Sequence, residues 1–213
     1  MKIVIAGGHG QIARLLTRQL TQAGHHVTGI IRTTEQAADL EADGATPLVL
    51  DLEAINEVEL AEHLVGADAT VFAAGAGPGS GNARKLTVDR DGAILLADAT
   101  ERADVDRFLI VSSMGIDDYD PESDEGSEVY KSAKAQADEH VRARSTAWTI
   151  VRPGALTDEE PTGFVTIGAS VEPGSIPRAD VAAVIAELVT SGAGERVQFE
   201  VVSGETPIAG ITP

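Results

Sequence analysis

A short apolar run that breaks straight into glycine is the feature that most narrows the fold. Residues 2–6 (KIVIA) are followed at once by Gly7-Gly8-His9-Gly10-Gln11-Ile12-Ala13. Ile12, Leu15, Leu16 and Leu20 then recur at helical spacing until Gly24. That order predicts a buried strand, a tight turn and an amphipathic helix. Within the turn, Gly7, Gly10 and Ala13 follow a G-x-x-G-x-x-A spacing. Glycine lets the chain turn sharply and brings backbone N–H groups close to a pyrophosphate, and a small third residue lets helix pack tightly on strand. The helix N-terminus, with Gln11 and Ile12 in its first turn, then meets the anion with partial positive charge. No Gly-Lys-Ser/Thr follows, which excludes a P-loop.

The alternation continues to the end of the chain. Further strands are expected at 26–31, 47–50, 69–74, 107–112, 148–152 and 197–202, with helices between them that include 82–102, 129–143 and 178–191. The glycine-rich stretch 75–81 reads as a loose loop. Near-continuous apolar strands separated by helices argue a parallel sheet covered on both faces. The expected fold is α/β: a single doubly wound, mainly parallel sheet of the Rossmann kind, strand order 3-2-1-4-5-6-7. One domain over 1–213 is expected, with a minimal C-terminal substrate region and the ligand across the carboxyl ends of strands one and four.

Composition removes whole classes of function. The 213 residues carry 34 acids against 16 bases, a net charge of −18. Such a field repels phosphate backbones and anionic lipid, so neither nucleic acid nor a membrane surface is an expected partner. There is no cysteine, hence no disulfide, thiol nucleophile or cysteine-ligated metal. His9, His25, His26, His63 and His140 lack metal-ligand spacing, read as surface or turn residues, and give no expected metal site. The first apolar run is too short for a secretory signal, and no window reaches about 18 apolar residues. A cytoplasmic protein handling a small molecule, as monomer or homodimer, is the expectation. The segment 117–128 holds seven acids in twelve residues and reads as a solvated loop. Counted from Asp118, it lacks the glycine at six and the glutamate at twelve of a calcium loop.

Two further clusters carry chemistry. The second strand ends Arg32-Thr33-Thr34, with no acid until Glu35. A fold that prefers NAD ends this strand with an acid on the ribose hydroxyl. Arg32 instead suits a 2′-phosphate, with Thr33 donating to it, so NADP is expected and NAD is the alternative. Asp51 and Leu52 suit an adenine contact, while Ala73, Ala74 and Gly75 offer a small-residue floor. Tyr130 and Lys134 lie at i and i+4, on one face of a helix. A phenol ordinarily titrates near 10, and a neighbouring ammonium favours its phenolate, which makes such a pair a proton donor or acceptor for a carbonyl–alcohol interconversion. Ser112-Ser113 closes the fifth strand, where a hydroxyl could bind the substrate oxygen.

Taken together, these residues resemble the short-chain dehydrogenase/reductase superfamily over nearly the whole chain, in particular its small atypical NmrA-like and epimerase-like branch. The resemblance puts Ser113, Tyr130 and Lys134 at the active-site serine, tyrosine and lysine, with Lys134 also anchoring the cofactor ribose. Asp89 falls where the superfamily has an asparagine. Arg152-Pro153-Gly154 after the sixth strand matches too, with Pro153 beside the cofactor, as does the stretch from Ile176 to Ala182. Extended members carry a substantial substrate domain, whereas only about sixty residues follow the sixth strand here, which implies a small or open pocket. The implied activity is an NADP(H)-dependent oxidoreductase on a small carbonyl, quinone or flavin-like acceptor. A non-catalytic NADP(H) redox sensor and a nucleotide-sugar epimerase or dehydratase are the alternatives.

Overall fold

Side chains along the first strand alternate between two hydrophobic layers, and that alternation sets the architecture. Ile3 and Ile5 enter one core cluster while Val4 and Ala6 enter the other, as period-2 geometry in a sheet covered on both faces requires. The computed structural model describes residues 1–77 and 79–213. Its first half runs β1 (Lys2–Ala6), α1 (Gln11–Gln22), β2 (His26–Ile31), α2 (Ala37–Ala42), β3 (Thr46–Val49), α3 (Glu57–Leu64) and β4 (Ala69–Phe72). Next come α4 (Asn82–Arg84), a π-helical segment Lys85–Gly92, α5 (Ala93–Arg102), β5 (Arg107–Val111), α6 (Gly126–Arg142) and β6 (Ala147–Pro153). The chain closes with β7 (Ala155–Thr157), β8 (Phe164–Gly168), β9 (Ser175–Pro177), α7 (Arg178–Ser191), β10 (Val197–Ser203) and β11 (Thr206–Pro207).

The large sheet has the order β11-β8-β10-β6-β5-β4-β1-β2-β3. Its parallel part is the expected 3-2-1-4-5-6-7, with β10 as the seventh strand. Two strands that the sequence did not announce, β8 and β11, extend that edge in antiparallel pairing. The short β7 and β9 pair with each other in a separate parallel ribbon. Each outer strand carries a proline, Pro47 in β3 and Pro207 in β11.

One layer packs α1 and α7 on the sheet, through Leu16, Leu20, Ile185 and Leu188 against Ile5 and Leu109. The other packs α3, α5 and α6, through Leu60, Leu96 and Val141 against Phe72, Phe108 and Ile150. Local signals set several ends. Asn56 Oδ1 accepts from Glu59 N–H at 3.0 Å while Asn56 N–H donates back to Glu59 Oε2 at 3.4 Å, a reciprocal cap for α3.

Two expected boundaries need correction. The single helix expected over 82–102 is divided by the π segment, whose wider turn buries Val88, Asp89 and Gly92. The helix expected from 129 begins at Gly126. The loop expected at 75–81 includes Pro78, which lies outside the described residues. Among the described residues, no helix is long and apolar enough to cross a membrane.

Leu16 is fully buried beneath α1. Leu16→Ala should therefore cost roughly 2–5 kcal/mol in urea-unfolding free energy. A loss under about 1 kcal/mol would mean that α1 is not held by this layer.

Candidate functional site

The turn after β1 works because no side chain intervenes. Gly7 has φ +78°, and a Cβ there would stand 2.5 Å from Ala74 Cα. A Cβ on Gly8 would come within 2.9 Å of Gly29 Cα. The turn closes through Gly10 N–H to Gly7 O at 2.8 Å and is tied to β2 through Gly8 N–H to Ile30 O at 2.9 Å. Gly10 is the N-cap of α1 and offers it no side-chain cap, so the first-turn amides are left to meet an anion.

Beside this turn runs a groove of about 320 Å³ along the carboxyl ends of β1 to β4. Gly7, Gly10, Arg32 and Asp51 line it, as do Leu52, Ala73, Ala74 and Gly75. Of the remaining expected cofactor residues, Gln11, Ile12, Thr33, Lys134 and Pro153 do not. Arg32 and Thr33 are exposed. Their backbone N–H groups both donate to Gln36 Oε1, at 3.2 and 3.4 Å, which holds the loop after β2. Among the described residues the Arg32 side chain meets no carboxylate. Asp51 Oδ1 accepts from Glu53 N–H at 3.0 Å, so part of that carboxylate is engaged in its own turn. An uncapped helix N-terminus, a small-residue floor and a free guanidinium at one end together fit a dinucleotide carrying phosphate groups.

Among the groove-wall residues that sequence reasoning missed, three carry ionisable side chains: His9, Glu53 and Arg84. His9 lies within the glycine turn and pairs its Nε2 with Asp39 Oδ2 at 2.7 Å. Glu53 and Arg84 line the groove from opposite segments and approach to 3.4 Å, and Thr87 Oγ1 donates to Glu53 at 2.5 Å. The position of His9 between two motif glycines was a usable signal. Nothing local announces the other two, which are separated by thirty-one positions.

The second cluster centres on Lys134, a buried residue of α6. Its Nζ donates to Val111 O at 3.1 Å, stands 3.5 Å from Asp89 Oδ1, and lies 6.0 Å from the Tyr130 ring centroid and 5.8 Å from that of Phe72. Asp89 is brought in by the π segment, and its Oδ2 accepts from Ala76 N–H at 3.1 Å. Because Ala76 and Gly75 also line the groove, this cluster abuts the groove without lining it. Tyr130 is half-buried, and its hydroxyl makes no hydrogen bond among the described residues. Ser113, also half-buried, donates only a 3.4 Å bond to Met114 O. Lys134, Asp89 and Tyr130 are thus brought together, while Ser113 comes up on the adjoining loop with no bond to them.

Beneath that loop lies a buried charge network that was not anticipated. Arg152 Nε donates to Asp138 Oδ2 at 2.9 Å, and its two terminal nitrogens fork onto Asp117 at 2.6 and 2.9 Å. Ser112 Oγ donates to the same Asp138 oxygen at 2.8 Å. Asp138 Oδ1 is buried and has no hydrogen-bond partner among the described residues. Burial pushes the Asp138 carboxyl up, against the pull of Arg152 and Ser112. The Arg152 fork holds Asp117 below the ordinary carboxylate range. The segment 117–128, read as a solvated loop, is exposed at Asp117 yet fastened there by the Arg152 fork, and Glu128 accepts from Asp120 N–H and from Lys131. Among the described residues no group of side chains forms a metal site.

Comparison with known proteins agrees with the groove. The profile of a family described as NAD(P)H-binding matches residues 7–192. An uncharacterised sugar epimerase of Bacillus subtilis is 35% identical, over 98% of this chain and 97% of its own. The solved structure of a proposed NAD-dependent epimerase/dehydratase from Bacillus halodurans superposes with a TM-score of 0.90 at 38% identity, covering 98% of this chain and 97% of that one. An oxidoreductase from Lactococcus lactis gives a TM-score of 0.83 at 29% identity, covering 98% and 93%.

The Asp89–Lys134 contact generates a direct expectation. Removing one partner of a buried pair leaves an uncompensated charge and here also strands the Ala76 N–H. Asp89→Ala should therefore destabilise by roughly 3–5 kcal/mol in chemical denaturation, and Asp89→Asn, which keeps an acceptor for Ala76, by clearly less. Equal small losses in both variants would show that the carboxylate is not Lys134's counter-ion.

Proposed function

The chain belongs to the NAD(P)H-binding family, and from that premise we propose that it is an NADP(H)-dependent oxidoreductase acting on a small carbonyl, quinone or flavin-like acceptor. The observation that carries this reading is the buried Lys134 ammonium within 6.0 Å of the Tyr130 ring. It gives a half-buried phenol a fixed positive neighbour. The free Arg32 guanidinium at the groove end supports NADP, because a fork of N–H donors matches a 2′-phosphate.

The glycine turn and the first turn of α1 would hold the pyrophosphate, Arg32 and Thr33 the 2′-phosphate, and Asp51 and Leu52 the adenine. When bound, the dinucleotide supplies the hydride equivalent. Ser113 donates a hydrogen bond to the acceptor oxygen. Tyr130 delivers the proton to that oxygen, and Lys134 stabilises the phenolate left behind. Asp89 keeps the Lys134 ammonium in place and competes with the phenolate for its field, so it tunes the site rather than moving the proton.

Competition from Asp89 also favours a second reading, a redox sensor that binds the nucleotide without turnover. The epimerase names of two similar proteins suggest a third, in which the nucleotide is reduced and reoxidised within one cycle. Steady NADPH consumption with a carbonyl and quinone panel supports the first. Binding without consumption supports the second. Conversion of a nucleotide sugar with no net change in NADPH supports the third.

Two variants test the assigned roles. NADPH should bind about ten- to a hundredfold more tightly than NADH, the effect of a charge-assisted fork of about 1.5–3 kcal/mol, and Arg32→Glu should reverse the order in calorimetric titration. Equal wild-type affinities would remove Arg32 from the site. Tyr130→Phe should lower turnover by about 10²–10⁴-fold and leave NADPH affinity nearly unchanged. Turnover within about threefold of wild type would mean that the proton comes from water or substrate.

A further inference from the structure

We infer that Arg152, together with Asp117 and Asp138, is a positioning device that fixes the Ser113 loop relative to the helix carrying Tyr130 and Lys134. This rests on the oxidoreductase reading only for its consequence in turnover. The framing itself is a matter of geometry.

Arg152 is among the largest fully buried side chains of the protein. It lies in β6, yet it touches two other segments. Through Nε it reaches Asp138, which α6 presents one turn beyond Lys134 and two turns beyond Tyr130, on the same face. Through its fork it reaches Asp117, which follows Ser113 by four residues. On the other flank of Ser113, Ser112 donates to Asp138. Between the two, Met114 N–H donates to Pro153 O at 3.0 Å. The loop is therefore fastened before, just after and beyond Ser113, each time to β6 or α6. Ser113 itself is the residue left with only a long 3.4 Å bond to its neighbour. A rigid frame around one free hydroxyl is the arrangement that a hydrogen bond to a reacting oxygen needs, since small misplacements cost large factors in rate.

Stability is a poor explanation for this network. A buried guanidinium between two carboxylates is often matched by well-packed apolar residues. Among the described residues Asp138 Oδ1 is even left without a partner. What an apolar replacement cannot reproduce is a planar fork whose direction fixes a carboxylate on a surface loop.

Asp117 is the place to test the device, because its side chain is 71% exposed and its removal leaves Arg152 still paired with Asp138 through Nε. Asp118→Ala, an exposed neighbour outside the network, controls for lost charge. With NADPH saturating, hydrogen exchange of the peptide spanning 112–118 should accelerate at least about tenfold in Asp117→Ala, but not in Asp118→Ala. In the same protein kcat should fall by about tenfold or more, while the Kd for NADPH stays within about twofold. Asp117→Asn, which keeps one acceptor oxygen, should recover part of both effects. Unchanged exchange in Asp117→Ala would overturn the framing whatever the activity. Faster exchange with kcat within about twofold of wild type would overturn its role in positioning Ser113. Faster exchange in a protein whose wild type reduces no acceptor would leave the frame standing and sink the oxidoreductase reading instead.

Discussion

The carboxyl edge of this sheet depends on two pieces of backbone approaching closer than any side chain permits. Gly7 meets Ala74, two residues beyond β4, and Gly8 meets β2 at Gly29. Main chain on main chain brings the amino end of α1 into the gap between β1 and β4, where the winding of the sheet reverses. The groove, its small-residue floor and the uncapped amides all follow from that contact. A methyl group at position 7 would have to displace either α1 or the floor of the groove, and it would also strain a left-handed turn.

Charge is organised around the same edge in a way that the strongly acidic composition hides. Most of the surface is anionic and screened, and isolated exposed pairs contribute little. Near this edge two cations are instead taken inside, while a third, Arg107, is buried at the start of β5. Lys134 is enclosed by Asp89, a backbone carbonyl and two aromatic rings, and Arg152 by two carboxylates. Burial costs each of them hydration, and the compensation comes from directed partners. Both therefore act through geometry: one sets a charge beside a phenol, the other sets a loop beside a helix.

How much of this was legible in the sequence follows from the range of each signal. Strand periodicity, glycine stops and the glycine turn are local, so the parallel strand order and the groove floor could be read directly. The π segment could not, because Val88 and Asp89 are turned inward by what they pack against rather than by helix propensity. Asp138 carried a faint signal, being i+4 from Lys134 on a face that already held Tyr130. Its partner Arg152 was singled out only through the family resemblance, and its pairing with Asp117 across thirty-five positions had no local signal. Asp117 itself was masked by its setting, one carboxylate in a run of seven. β8 and β11 were missed because FVTIG and a two-residue strand gain their identity only from pairing at the edge.

The two outer strands have a consequence for how the molecule behaves among copies of itself. A sheet is in principle an open polymerisation template, since each outer strand presents donors and acceptors to any extended chain that drifts past. Here β3 is four residues long and β11 only two, and each holds a proline that has no N–H to give. Hydrogen bonding across the sheet thus runs out at both ends. Nine strands are joined edge to edge, and a tenth from another molecule would meet, at either end, a short strand interrupted by proline.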